Sequence, residues 1–302
     1  MSAQSTTARN SEALFQSYLQ APKLAVPTTF IFVAVIVGMV ATWHYALNGT
    51  IELWTGSIIN GLLSYCLFSV IHDSAHCSLS SNPLLNEGIG SIALVFLFPY
   101  APMVLLRWVH NQHHIHANSQ QDPDIYEHQS KWWQVPFRWT CFDGYYIYYF
   151  LKHGKKVMKK HARALIIFYS LLGAVFVTAL VTGFGYELLM LWFIPTRIAL
   201  FMIAVVFVIL PHHPAMVSQQ EEPYMATTMR MGWEWLLTPL LVYQNYHLIH
   251  HLYPAIPFYK MHKVWYLKYD ELNQHNLSIQ TAFGLEPANI ESHRHFHDRP
   301  AT

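Results

Sequence analysis

The sequence predicts an all-α integral membrane protein. Four transmembrane helices carry a histidine-rich helical cap on the cytoplasmic side. Three observations lead there. The 302 residues are 53% hydrophobic and only 12% charged, with a mean hydropathy of +0.21, whereas a soluble domain carries about 25% charge. Four apolar runs reach the roughly 20 helical residues that cross a bilayer. Histidines recur at helical spacing in three separate places. The net charge of +1 and the lack of a nucleic-acid motif argue against nucleic acid as a partner.

In chain order, a polar segment (1–23) precedes a membrane domain (24–272) and a polar tail (273–302). The N-terminal segment has no basic stretch leading into a short apolar core, so no cleavable signal peptide is expected. The spans are expected at Leu24–Leu47, Leu53–Ile71, Ala164–Tyr186 and Leu188–Leu210, as two hairpins. Gly88–Leu106 is also uncharged, but Pro99 and Pro102 interrupt it. A crossing there would put the first two histidine clusters on opposite sides of the membrane. We therefore expect a re-entrant or in-plane helical pair, covered by protein where its backbone is broken. Within it, Gly88–Ala93 matches a loose dinucleotide pattern but follows no strand, and is discarded.

Lys131–Arg163 mixes aromatics with the basic run Lys152, Lys155, Lys156, Lys159, Lys160 and Arg163, a membrane-interface signature that marks this side as cytoplasmic. Counting crossings from there places all three histidine clusters on the same side. Trp235–Tyr246 is apolar but too short to span, and is expected to lie against the membrane. Arg197 falls inside the fourth span, where a charge needs a partner or a cavity; otherwise it snorkels along the kink at Pro195. Cys66, Cys77 and Cys141 lack metal or redox spacing.

The first cluster, IHDSAHC, places His72 and His76 at i, i+4. The second, HNQHHIH, places His110, His113 and His114 at i, i+3, i+4. The third, YQNYHLIHHLYPAIP, places His247, His250 and His251 likewise. Each set shares one helical face. Neutral imidazole suits zinc, copper, iron and nickel. Eight ligands exceed the needs of one ion, so two are expected. No Glu-x-x-His pair, His-Glu-x-x-His motif or Gly-x-Ser-x-Gly elbow supplies a competing chemistry. His212 or His213, in LPHHP at the exit of the fourth span, supplies a ninth ligand; His212 is preferred because it lies nearer the helical register. His116 and His128 read as neighbours of the site or surface residues. His293, His295 and His297 alternate and read as tail. Asp73, Asp122 and Asp124 are placed to accept the second N–H of a ligating ring, and Asn245 to hold a water. Haem ligation would need axial pairs on facing spans, and a metal transporter ligands near the midplane; neither fits clusters at span exits.

HDSAH, HNQHH and HLIHH around two membrane hairpins resemble the three histidine boxes of the membrane fatty-acid desaturase and hydroxylase superfamily, over roughly residues 30–270. HNQHHIHANSQQDPD, LPHHP and QNYHLIHHLYPAIPFYK look most like the carotenoid ring hydroxylases of the cyanobacterial and plant type. The resemblance implies two non-haem irons, O2, and electrons from a ferredoxin-like or cytochrome-type donor. It implies attack on an unactivated C–H of a long apolar lipid, giving an alcohol or a double bond. The best expectation is a carotenoid ring hydroxylase. An acyl-lipid desaturase on the same scaffold is the main alternative, and a ketolase a third. Gly88–Leu106 and Lys131–Phe150 are the expected walls of a substrate tunnel.

Overall fold

The structure is a computed structural model that describes residues 3–214 and 217–286. His293, His295 and His297 lie outside the described residues. A polar helix, α1 (Ala3–Leu19), precedes the first hairpin, α2 (Val26–Leu47) and α3 (Leu53–Ala75). Pro27 opens α2, where its missing N–H has no helical partner to lose. Gly49, at φ +77°, makes the turn to α3. The buried residues Thr28, Val35, Met39, Thr42 and Ala46 form a single stripe along α2, which leaves its other faces to lipid. By contrast, α3 is buried over much of its circumference and is the central helix.

The second hairpin is α8 (Ala162–Val181) and α9 (Gly185–His212), preceded by the short α6 (Ile125–His128) and by α7 (Val135–His153). These four helices are long and apolar enough to cross a membrane. No residue of α8 is buried, so it borders the bundle rather than joining its core. α9 packs closely on α3. A Cβ on Gly61 would come within 2.8 Å of Ile198, and one on Gly56 within 2.7 Å of Leu191. Small residues of this kind let membrane helices approach. α9 is not a regular helix, since Leu189–Phe193 and Ala204–Ile209 are π-helical. Pro195 has no N–H to give the carbonyl of Leu191. Asn60 of α3 donates to that carbonyl instead, at 3.0 Å.

Arg197 has partners and does not reach for the surface. It pairs with Asp143, donates to the Thr140 carbonyl at 2.9 Å and to the Tyr100 hydroxyl at 2.6 Å, and packs over Phe193. Asp143 belongs to α7 (Val135–His153), so this buried cluster ties α7 to the fourth span.

Two helices, α4 (Pro83–Val95) and α5 (Met103–His116), occupy the stretch between the first two clusters. The broken backbone between them is satisfied by protein: Ser64 donates to the Phe96 carbonyl at 2.9 Å, and the Trp192 indole to that of Val95 at 2.7 Å. Gly90 lies inside α4 against Ser74, with no strand before it.

Beyond α9 the chain forms the cap. Trp235 and Leu240 remain exposed in the short helix Glu234–Leu240, which leads into α10 (His247–Leu252). A second apolar core joins Phe15 of α1 to Tyr246, Leu248, Met261 and Trp265. The residues after Asn273 are not all tail: Ser278–Thr281 pairs in parallel with Thr228–Met231, Thr228 opposite Ser278. Buried Arg230 closes this pair by donating to the Gly284 carbonyl at 2.6 Å and to Gln280. A single Arg–Gln–carbonyl lock carries no periodic sequence signal, which is why the polar composition read as tail.

Candidate metal centre

The three clusters arrive from α3, α5 and α10, and His212 from the end of α9. Helical spacing aims each cluster inward, and the packing of α3 against α9 brings their ends together. Two groups of ring nitrogens result, each able to hold a metal ion: His72, His76, His110 and His250; and His113, His212, His247 and His251. His114 adjoins the first group, its Nε2 lying 3.2 Å from that of His110 and 2.9 Å from that of His250. The Nε2 atoms of His72 and His250 approach to 2.9 Å, as do those of His76 and His110. His212 and His247 approach to 3.1 Å.

The donor set fits metal ions. Two nitrogens about 2.1 Å from one ion and at right angles lie about 3 Å apart, the separations seen here. Both ring nitrogens of His251 are buried without a hydrogen-bond partner, as is Nδ1 of His72 and His250. Such groups are costly unless something else binds them. Burial holds His110, His114, His247, His250 and His251 well below the ordinary imidazole range. At neutral pH these rings are uncharged and offer lone pairs. Neighbouring imidazoles push the same way, because each would repel another's charge.

His113 differs. Burial lowers it, but Asp124 and Asp122 outweigh burial and hold it up at about 9. Its Nδ1 donates to Asp122 at 3.0 Å and lies 3.3 Å from Asp124. Two carboxylates on Nδ1 fix the proton there and leave Nε2 to face the second group. Asp122 in turn accepts the backbone N–H groups of Asn118 and Asp124, and Asp124 accepts the Tyr146 hydroxyl at 2.5 Å.

Several expectations need correcting. Asp73 touches no histidine ring through its carboxylate. It accepts Thr28 of α2 at 2.8 Å and the backbone N–H of Phe258 at 3.1 Å, fastening the first span and the loop after the third cluster to α3. Its helical phase, one residue after His72, turns it away from the cluster. The expectation for Asn245 is not overturned: its amide N–H donates to Thr238 at 3.1 Å, and its side-chain oxygen is buried with no hydrogen-bond partner. The neighbouring Gln244 accepts from Nδ1 of His247 at 2.6 Å. The sequence reading missed Gln244, although it sits three residues before His247 on the same turn. It also missed Asn118, whose side-chain oxygen pairs with His212 Nδ1 at 3.2 Å. No spacing could have shown that pair, 94 residues apart. Of LPHHP, His212 enters the cluster while His213 does not. The His116 ring meets the Gln220 amide at 3.4 Å, outside the two groups. The ring of His128 lies 5.9 Å from that of His212, between centroids, outside the two groups.

An apolar cavity abuts the cluster. Phe68, Leu106, Phe142, Ile203, Phe207 and Val208 supply its apolar wall, with His72, His110, His113 and His247 at one side and Tyr146 and Asp124 beside them. The cavity is small, about 30 Å³. Only Leu106 comes from Gly88–Leu106, and only Phe142 and Tyr146 from Lys131–Phe150. Most of the apolar wall is α3 and α9, where the π-helical stretch of α9 supplies Phe207 and Val208.

A membrane helical bundle with two imidazole groups beside an apolar cavity defines a class of metal-dependent membrane protein. The fatty acid desaturase family profile matches residues 48–283. The chain belongs to that family, a family of oxidoreductases. Two beta-carotene ketolases from Paracoccus strains N81106 and PC1 are 27% and 28% identical to it, each over 66% of this chain and 73% of their own length. A chloroplastic omega-6 fatty acid desaturase of Arabidopsis thaliana is 34% identical over 28% of this chain, which spans 16% of that protein's length.

Proposed function

We propose that this protein is a membrane-bound, non-haem di-iron oxidoreductase that uses O2 to hydroxylate the ring of a carotenoid. The observation that carries this reading is the convergence of nine imidazoles beside an apolar cavity, four of them, His72, His110, His113 and His247, on its wall. His72, His76, His110, His114 and His250 would hold one iron, and His113, His212, His247 and His251 the other. Two bound irons supply O2 activation and removal of hydrogen from an unactivated C–H. The chain's own residues do the rest. Phe68, Leu106, Phe142 and Phe207 bury the substrate, exclude water and hold one carbon toward the histidine side, so orientation decides regiochemistry. Asp122, Asp124, Gln244 and Asn118 orient His113, His247 and His212. Electrons come from a ferredoxin-like or cytochrome-type protein on the cytoplasmic side, where the basic Lys152–Arg163 stretch would lie.

The ketolase relatives, aligned over two thirds of the chain, favour a carotenoid and make a carbonyl product the nearest alternative. The omega-6 desaturase relatives align over shorter stretches and favour an acyl chain. One experiment separates them: expression in a host that makes β-carotene and ordinary membrane lipids, followed by chromatography of pigments and fatty-acid esters together. New hydroxylated carotenoids support the proposal. New ketocarotenoids, or new unsaturated acyl chains with unchanged pigment, replace it.

A further inference from the structure

The two imidazole groups are built differently, and the difference reaches the substrate cavity. Around His113, His212, His247 and His251, three rings have side-chain partners on their outer nitrogen: Asp122 and Asp124 for His113, Asn118 for His212, and Gln244 for His247. Around His72 and His250, the outer nitrogens have none. Of all these supports, one alone continues to the cavity. Asp124 lies 3.3 Å from His113 Nδ1 with one oxygen, an ion-pair contact beside the shorter Asp122 hydrogen bond at 3.0 Å, and accepts the Tyr146 hydroxyl at 2.5 Å with the other. The Tyr146 ring itself lines the cavity beside Phe142. Tyr146 is buried and sits on α7 one turn after Asp143, whose carboxylate is fastened to Arg197. Tyr146 therefore sits on a helix that the Arg197–Asp143 pair fastens to the fourth span.

We propose that Tyr146 is a positioning residue for the His113 side of the centre, acting through Asp124, and that this link reaches that group alone, although histidines of both groups line the cavity. This rests on the di-iron reading above. The physical reason is that Asp124 is buried and needs both bonds. Without the tyrosine hydroxyl, one carboxylate oxygen loses its donor and turns to compete for other N–H groups, and His113 loses a fixed azimuth. Phenylalanine at 146 keeps the ring on the cavity wall and removes only the hydroxyl, so substrate contact and ligand orientation are separated.

The test uses the full-length protein in detergent, stripped of metal and titrated with Co(II), whose visible absorption reports ligand geometry. His76→Ala and His212→Ala each remove a ligand from one group only, and so assign the two spectral components. In Tyr146→Phe we expect the component lost in His212→Ala to shift and its affinity to fall about 10-fold, within the range for outer-shell changes. The component lost in His76→Ala stays as in wild type. KM for the lipid substrate stays within about twofold while kcat falls. Asp124→Asn should reproduce the same one-sided change. Unaltered spectra, or equal weakening of both components as a merely structural defect would give, overturn the proposal. A wild-type protein that takes up fewer than two Co(II) overturns the di-iron reading itself, and is seen before any variant is made.

Discussion

At the scale of single residues, the histidines were legible because helix geometry converts sequence spacing into a shared face. Positions i, i+3 and i+4 of α5 and α10 need no tertiary knowledge to be grouped. Which group each joins was not legible. His113 and His114 are adjacent yet serve opposite groups, because successive helical residues are turned about 100° apart. The supports were legible only where they share a turn with a histidine, as Gln244 does with His247. Asn118 and Tyr146 reach the site through packing alone. The LPHHP pair gives a residue-scale prediction. His212→Ala should lower bound iron by about one equivalent per chain and abolish turnover, whereas His213→Ala keeps both; metal analysis of the purified variants checks this. His247→Ala, His250→Ala and His251→Ala should each abolish turnover and lower bound iron. Full activity in any one would remove that residue from the set.

At the scale of elements, the four spans followed from hydropathy, since a charge-free run of about 20 residues has few alternatives to a membrane helix. Details that depend on a neighbour did not follow. The π-helical stretches of α9, the Asn60 bond to the Leu191 carbonyl and the Arg197–Asp143 pair are answers by one helix to a defect in another. The ion pair makes a sharp prediction. Asp143 is almost wholly buried, with a side-chain exposure of 1%. Arg197→Met would leave its charge unpaired and should destabilise the protein by about 3–5 kcal/mol. The double variant Arg197→Met, Asp143→Leu should recover much of that loss, because a buried pair is worth little against an apolar replacement. Thermal unfolding in one detergent, compared across wild type, single and double variants, checks the sign. A double variant no more stable than the single would contradict it.

At the scale of the whole molecule, the account requires α4 and α5 to return to the side they left. With the three native cysteines replaced by serine, single cysteines at the exposed positions Ser81 and Asn111 should label from the same face of sealed vesicles. Opposite labelling would place the histidine clusters on two sides and break the centre. Protons provide a second whole-molecule test. In the metal-free protein, His110, His114, His247, His250 and His251 are held below the ordinary value of 6.5. Below about pH 6.5 the unfolded chain therefore binds more protons than the folded one, and stability falls as pH drops. His113, held up at about 9, acts oppositely: its contribution is complete below 6.5 and is lost as pH rises from there through 9. Five groups against one predict a steeper loss on the acid side, measurable as the midpoint of thermal unfolding between pH 5 and pH 9.

The central claim is that nine histidines hold two non-haem irons. Iron analysis and the visible spectrum of the purified protein test it together. Two irons per chain are expected, lost stepwise in His76→Ala and His212→Ala, with no Soret band. One iron or none per chain after anaerobic loading with ferrous iron, or an intense Soret band, would contradict it.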